Sequence, residues 1–186
     1  MYAASVWAVD IKKGTTTLFA KTPEMAQVHN FTNIGINGVR VFEEHLYWTN
    51  SDLKAVYRIP LDACGYPGAS PSSELVANLT TTSPVFIDDF TISKDGTLWV
   101  TSSGPDNVIV AVRPDGRGGF LEPVVAAGGI DSTAVQGAVG AAFGRGRDDK
   151  DILYVTTNGG LWGAGLGLNH TATEPGKVAA VDTTCF

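Results

Sequence analysis

Asp88 and Asp89 stand side by side in "VFIDDFTIS", directly ahead of an apolar run. A carboxylate in such a place can move a proton or hold a cation. Successive strand residues point to opposite faces, so one of the two is expected to serve a site and the other to be a turn or solvent carboxylate. Asn37 opens a similar stretch, "INGVRVF", 51 residues earlier. Its Asn-Gly pair is also ordinary turn text. Three histidines add groups that ligate metals or act as bases. His45 falls in "EEHL", read as a hairpin turn with a solvated ring, and His170 belongs to a sequon in a long loop. His29 lies in the loop just ahead of Asn37 and is the histidine placed to meet a ligand.

Other chemistries lack their text. "GAVGAAFGRG" has the glycines of a phosphate loop but no Lys-Ser/Thr, and it sits in strand context. Its glycines are read instead as letting strands pack closely near a crowded axis. Neither G-x-S-x-G nor H-E-x-x-H occurs, so serine-elbow and zinc-protease chemistry have no support.

The elements that must position these residues repeat. "NGVRVFEEHLYWTN", "DDFTISKDGTLWVTS" and "GAAFGRGRDDKDILYVTT" are versions of one hairpin. Leu46, Leu98 and Leu153 open their second strands, at steps of 52 and 55 residues, a period found in repeat arrays such as propellers. The Asp-Gly of "KDGT" is a hairpin signal. A third strand follows each copy ("AVYRIPLD", "VIVAVRPDG", "KVAAVD"), and a fourth closes the two middle copies ("ELVANL", "LEPVVAA"). "TPEMAQVH" supports one turn of helix at most.

The expected fold is therefore all-β: an incomplete β-propeller of four-stranded antiparallel blades, two full and two partial. The boundaries are a partial blade over 1–28, blades over 29–80 and 81–130, and a partial blade over 131–186. Equivalent positions on adjacent innermost strands converge on the ring axis. The residue heading each copy thus changes, from Asn37 to Asp88 to the neighbourhood of Gly140, because it faces the channel. "TTNGGLWGAGLGLNHTATEPG" joins strands two and three of the last copy on that same face, where Trp162 could lid a pocket. With His29 and Trp162, Asn50 and Asn158 complete the expected substrate-contacting set.

Composition narrows the partners. A net charge of −6 without a Lys/Arg run argues against nucleic acid. No apolar stretch approaches the ~20 residues of a membrane helix, and "MYAASVWAVD" lacks the pattern of a signal peptide. Cys64 and Cys185 allow one bridge or two free thiols. Sequons at Asn30, Asn78 and Asn169 lean toward an extracellular setting. Open blade edges leave backbone groups and apolar faces uncovered, so the chain is expected to be a truncated form of a longer protein or to self-associate through those edges.

"INGVRV…LYWTN…VYRIPLD", "IDDFTISKDGTLWVTS" and "AAFGR…ILYVTTNGG…GKVAAVD" resemble the SMP-30/gluconolactonase/luciferin-regenerating-enzyme family, notably its fungal, strictosidine-synthase-like members. The likeness covers the C-terminal half of a six-bladed propeller. It implies a divalent metal (Ca²⁺, Mg²⁺, Mn²⁺ or Zn²⁺) at the top of the channel. The family's ligands are a first-blade Glu, an Asn opening an "NG" strand and an Asp opening the next inner strand. Asn37 and Asp88 match the last two, and Asp89 takes the usual Gly position. The Glu belongs to a blade absent from this chain, which leaves two oxygen ligands where Ca²⁺ takes six to eight. The implied activity is that of a metal-dependent lactonase. The metal would polarise an ester carbonyl and activate water, with Asp88 as base, on a small-molecule ligand. The alternative is a non-hydrolytic ligand-binding scaffold, or a metal-free biosynthetic relative of cyclase or pericyclase type.

Overall fold

The computed structural model describes residues 4–28, 33–82, 86–161 and 174–186. Among these described residues, thirteen strands form four antiparallel sheets in chain order. The first pairs β1 (Val6–Asp10) with β2 (Thr15–Ala20). The second runs β3 (Ile36–Phe42), β4 (His45–Asn50), β5 (Ala55–Pro60) and β6 (Glu74–Asn78). The third repeats that order as β7 (Ile87–Ile92), β8 (Leu98–Ser102), β9 (Val108–Val112) and β10 (Val124–Gly128). The fourth holds β11 (Ala138–Phe143), β12 (Ile152–Thr157) and β13 (Val178–Asp182). This is an incomplete propeller of two full and two partial blades. "TPEMAQVH" contributes only a 3-10 turn at Pro23–Met25.

Period-two patterning explains how the sheets stack. Every residue of β8 and β9 is buried, because each strand is covered on both faces. Leu98, Val100, Val108, Val110 and Val112 turn toward the second sheet and meet Tyr47 and Val56. The alternate residues Trp99, Ile109 and Ala111 turn toward the fourth sheet and meet Leu153 and Val155. Leu46, Trp48 and Ile59 face the first sheet with Ala20 and Met25. Three inter-sheet cores result, and each fully buried large side chain in them contributes about 1.5–3 kcal/mol. Arg58 of β5 ties two sheets together at their edge: it forks onto Glu74 at 2.8 and 2.9 Å and donates to the Gly118 carbonyl of the third sheet's outer loop at 3.0 Å.

The innermost strands β3, β7 and β11 are neighbours, with β7 lying between the other two. Each runs away from the end of the blade at which its first residues stand. One end of the array therefore collects Asn37, Asp88 and the β4–β5, β8–β9 and β12–β13 connections. The other collects the hairpin turns after β3, β7 and β11. Cys64 and Cys185 are exposed and unbridged.

Candidate functional site

The three innermost strands share a local irregularity. Between the pairs Ile36–Asn50 and Val39–Trp48, β3 carries one residue more than β4. Between Ile87–Ser102 and Phe90–Val100, β7 does the same against β8. β11 repeats it between Ala138–Thr157 and Gly140–Thr156. This register makes Asn37, Asp88 and Val139 equivalent, and likewise Gly38, Asp89 and Gly140. A bulge breaks the alternation of faces and re-aims the side chains within it.

Both members of the acid pair consequently reach β3. Asn37 Nδ2 donates to Asp88 Oδ1 at 3.0 Å, while Arg40 Nη2 meets Asp89 Oδ2 at 2.6 Å. The expectation that one of the two would be a turn or solvent carboxylate is corrected. It assumed an unbroken strand, and the extra residue in β7 removes that assumption. Asp89 fits because its equivalent on β3, Gly38, lacks a side chain. A Cβ at Gly38 would run into Asp89 Oδ1 and lie 3.0 Å from Asp89 Cα, and one at Gly140 would stand 3.9 Å from Asp89 Oδ2. Asp89 Oδ1 is buried and has no hydrogen-bond partner among the described residues. Arg40 also donates to the Val39 carbonyl at 2.8 Å and lies 5.6 Å from the Phe90 ring centre.

Hydroxyls brace the axial end. Thr49 Oγ1 receives Gly38 N–H at 2.9 Å and donates to the Asp88 carbonyl at 2.7 Å, joining β3, β4 and β7. Ser51 Oγ accepts from Asn37 Nδ2 at 3.1 Å and donates to the Ile87 carbonyl at 2.7 Å. Burial raises the Asp88 carboxyl above the usual carboxylate range. The Ser103 hydroxyl and the Asn37 amide pull it part of the way back, and the charge of Asp89 adds a further upward push.

The donors that could hold a divalent cation are few. Asn37 turns its amide N–H₂, not its oxygen, to Asp88. The third strand brings Val139 to the matching position. Among the described residues no three His, Cys, Asp or Glu side chains converge. Two oxygen donors fall short of the coordination that Ca²⁺ or Mg²⁺ requires, so these residues do not by themselves fit the implied metal.

The remaining candidates are spread out. Asn50 is fully buried; its Nδ2 donates to the Glu24 and Ala26 carbonyls, both at 2.9 Å, and its Oδ1 accepts Leu53 N–H at 3.0 Å. It pins the 22–28 segment. Asn158 shares the axial end and shapes its own loop, its Oδ1 accepting Gly160 N–H at 2.9 Å and Leu161 N–H at 3.2 Å. His29, His170 and Trp162 lie outside the described residues. His45 is the first residue of β4, not a turn residue. Its half-buried ring lies 6.0 Å from Tyr47, and burial, reinforced by Arg58, lowers its pKa. Arg40, Ser51 and Ser103 were not singled out from sequence. The available signal for Arg40 was an opposite charge 49 residues from Asp89, close to one blade step.

No family model matches the chain. It is 30% identical over 191 residues, 97% of its own length and 45% of the other's, to a Sarocladium schorii protein named "Putative hetero-Diels-Alderase asR5". It is 30% identical over 165 residues, 82% of its length and 42% of the other's, to a "Putative hetero-Diels-Alderase" of Phoma sp. The chain thus spans less than half the length of the curated relatives it matches. Among solved structures, a luciferin-regenerating enzyme superposes with a TM-score of 0.63 at 21% identity, covering 97% of this chain and 52% of that one. Regucalcin of Agrobacterium tumefaciens, described as a calcium-binding protein, gives 0.53 at 18% identity, covering 82% and 43%.

Proposed function

Because the chain is related, over about half their length, to the SMP-30/gluconolactonase/luciferin-regenerating-enzyme-like six-bladed propellers, we propose that its axial end serves a ring-forming enzyme that binds a small unsaturated carbonyl compound and promotes its [4+2] cycloaddition. The observation that carries this reading is Asp88, half-buried at the axis with its pKa raised by burial, and held by Asn37 in a site where no metal shell is completed among the described residues. The names of the two curated relatives point the same way.

A hetero-Diels–Alder step joins a conjugated C=C–C=O unit to an alkene. One C–C and one C–O bond form, three π bonds become one, and nothing leaves. No proton, hydride or oxidant enters the balance. The protein's work is to hold the two partners in reacting geometry and to stabilise charge that gathers on the carbonyl oxygen. Whenever Asp88 carries its proton it can donate a hydrogen bond to that oxygen, while Asn37 holds the other carboxyl oxygen in place. Arg40 and Asp89 form a charged floor beneath them.

A second reading is supported by one observation. Asn37 and Asp88, the residues that match two ligands of the metal-dependent lactonases, are in contact across adjacent inner strands. That reading requires further oxygen donors from beyond this chain's described residues.

The test uses a full-length form of the protein with a tethered enone–alkene substrate and a panel of lactones, each with added divalent cation and with chelator. Cycloadduct formation that is indifferent to chelator and falls about tenfold, or ~1.4 kcal/mol, in Asp88→Ala supports the cyclase reading. Lactone hydrolysis that requires added cation replaces it with the hydrolase reading. Saturable binding with neither reaction leaves a ligand-binding scaffold.

A further inference from the structure

A cavity lies at the opposite end of the array from Asp88. It holds about 800 Å³ between the third and fourth sheets, a volume typical of small-molecule sites. Its walls are the Ser93–Thr97 turn after β7, the 144–151 turn after β11, and the residues following β9 and β13. None of these belongs to the axial site.

Two features of the lining stand out. The first is charge. Lys94, Arg113, Arg145, Arg147 and Lys150 line the cavity together with Asp95 and Asp151, while Asp148 and Asp149 stand in the same 144–151 turn, so five cationic side chains are set among four carboxylates. The two lining carboxylates are already engaged: Asp95 accepts from Ser93 and Thr97 within its own turn, and Asp151 pairs with Lys150 at 2.9 Å. Nearby Asp149 adds its charge to the turn but pairs with neither arginine. Its Oδ1 caps Gly146 N–H at 2.7 Å and its Oδ2 accepts the Tyr154 hydroxyl at 3.4 Å. Lys94, Arg145 and Arg147 therefore carry exposed charge with no ion pair among the described residues. Cations held without a direct ion pair keep their donors open to an anion.

The second feature is an aromatic wall. Trp99 is buried beneath it with its ring N–H satisfied by Ser93 Oγ at 3.1 Å. Phe143 meets Trp99 edge-on at 6.0 Å, and Phe186 lies 5.1 Å from it, so the rings of Phe143 and Phe186 present apolar surface to the cavity. Arg113 sits 5.4 Å from the Phe186 ring centre, bringing cation and aromatic surface to one place.

We infer that this cleft is a second ligand site, taking a planar aromatic anion: an aryl ring against Phe143 and Phe186, its phosphate, sulfonate or carboxylate held by Arg145, Arg147 and Lys94. The site does not rest on the chemistry assigned to Asp88. The purified chain is titrated by calorimetry with 1-naphthyl phosphate, with inorganic phosphate and with 1-naphthol. The same is done for Arg145→Glu/Arg147→Glu and for a control that makes the same charge change elsewhere, Lys12→Glu/Lys13→Glu. The expected result is one-to-one binding of 1-naphthyl phosphate that weakens with salt. It also weakens about tenfold or more in the arginine variant but not in the lysine control. Equal affinity for 1-naphthol would remove the anion requirement, and equal affinity for inorganic phosphate would remove the aromatic one. An unchanged affinity in the arginine variant would place the ligand elsewhere; any of these three overturns the inference. If the arginine variant does not keep the parent's melting transition, Lys94→Glu, in the exposed turn after β7, provides the same reading.

Discussion

At the residue scale, Asp88 and Asp89 show how one inserted residue changes the meaning of a sequence. Read as an unbroken strand, the pair must split between two faces. The bulge instead sends Asp88 to Asn37 and Asp89 to Arg40, both on β3. Asp88 is thereby buried beside a like charge, and its raised pKa has a stability consequence of definite sign. A carboxyl with a higher pKa folded than unfolded binds more protons in the native state between the two values, so its contribution falls as pH rises through that interval. Asp88→Asn, which resembles the protonated acid in both states, should melt higher than the parent at pH 8. The gap should close as pH drops through the raised value toward the ordinary Asp range. A constant gap across pH in thermal melts would show that Asp88 is not buried as described. The glycines flanking Asp89 carry the companion prediction. Gly38→Ala places a methyl against Asp89 and within 3.1 Å of Phe90, and overpacking of that kind costs about 1–3 kcal/mol. Removing the Asp89 side chain as well should recover part of the loss but not all, because the Asp89 backbone is itself at 3.0 Å. Denaturant titration of the single and double variants measures both quantities.

At the scale of elements, the hairpins were legible because strand text repeats at a fixed step and apolar residues mark both faces of the central strands. The segments "HLYWTN", "LWVTS" and "ILYVTT" became β4, β8 and β12, the second strand of the second, third and fourth sheets. The bulges were not legible, since an extra residue exists only relative to a partner strand and no single stretch announces it. The same limit hid the role of Asn50. As an isolated Asn at a strand end it suggested a ligand contact. In the fold it faces back to the 3-10 turn and holds the Glu24 and Ala26 carbonyls. Replacing it with Ala leaves the part-buried Ala26 carbonyl without that donor and the Glu24 carbonyl with only the 3.5 Å bond from Trp48 Nε1. The expected cost is about 1–3 kcal/mol, with faster amide exchange concentrated around residues 22–28. Loss of stability without that local signature would mean the amide acts through β4 alone. Asn107 is a second such joint. It adopts φ 50°, and its Oδ1 accepts the Gly137 N–H at 3.0 Å from the next sheet. Asn107→Gly keeps the left-handed backbone but gives up that bond, so it should cost roughly 1 kcal/mol.

At the scale of the whole molecule, the unpaired flanks of the array set its behaviour in solution. On the first sheet Trp7 pairs with Leu18, and both are 53% exposed; Val9 on the same face is 61% exposed. On the fourth sheet the register places Tyr154 opposite Ala180 and Thr156 opposite Val178, an outward face on which Val178 is 64% exposed. The opposite faces of these two sheets are packed against their neighbours in the same way that every internal sheet is packed on both sides. The bare faces therefore have the chemistry of a blade-to-blade contact without a blade to complete it. They are also different surfaces, one presenting Trp7, Val9 and Leu18, the other Tyr154, Thr156, Val178 and Ala180. A contact between them joins the front of one copy to the back of the next, and such head-to-tail contacts extend into open chains unless the rotation closes a ring. We propose that the chain by itself associates in this way, with a weight-average mass that climbs with concentration in light scattering. Trp7→Lys/Val9→Lys should cap one end and hold the mass near that of the monomer, without altering the internal cores. Capping the other face with Val178→Lys should do the same. Equimolar mixing of the two capped variants should then restore association only to the dimer, because one good face of each kind survives in the mixture. Growth beyond the dimer in that mixture would mean that the association runs through other surfaces, and a strictly monomeric parent chain would mean that the bare faces are tolerated in water.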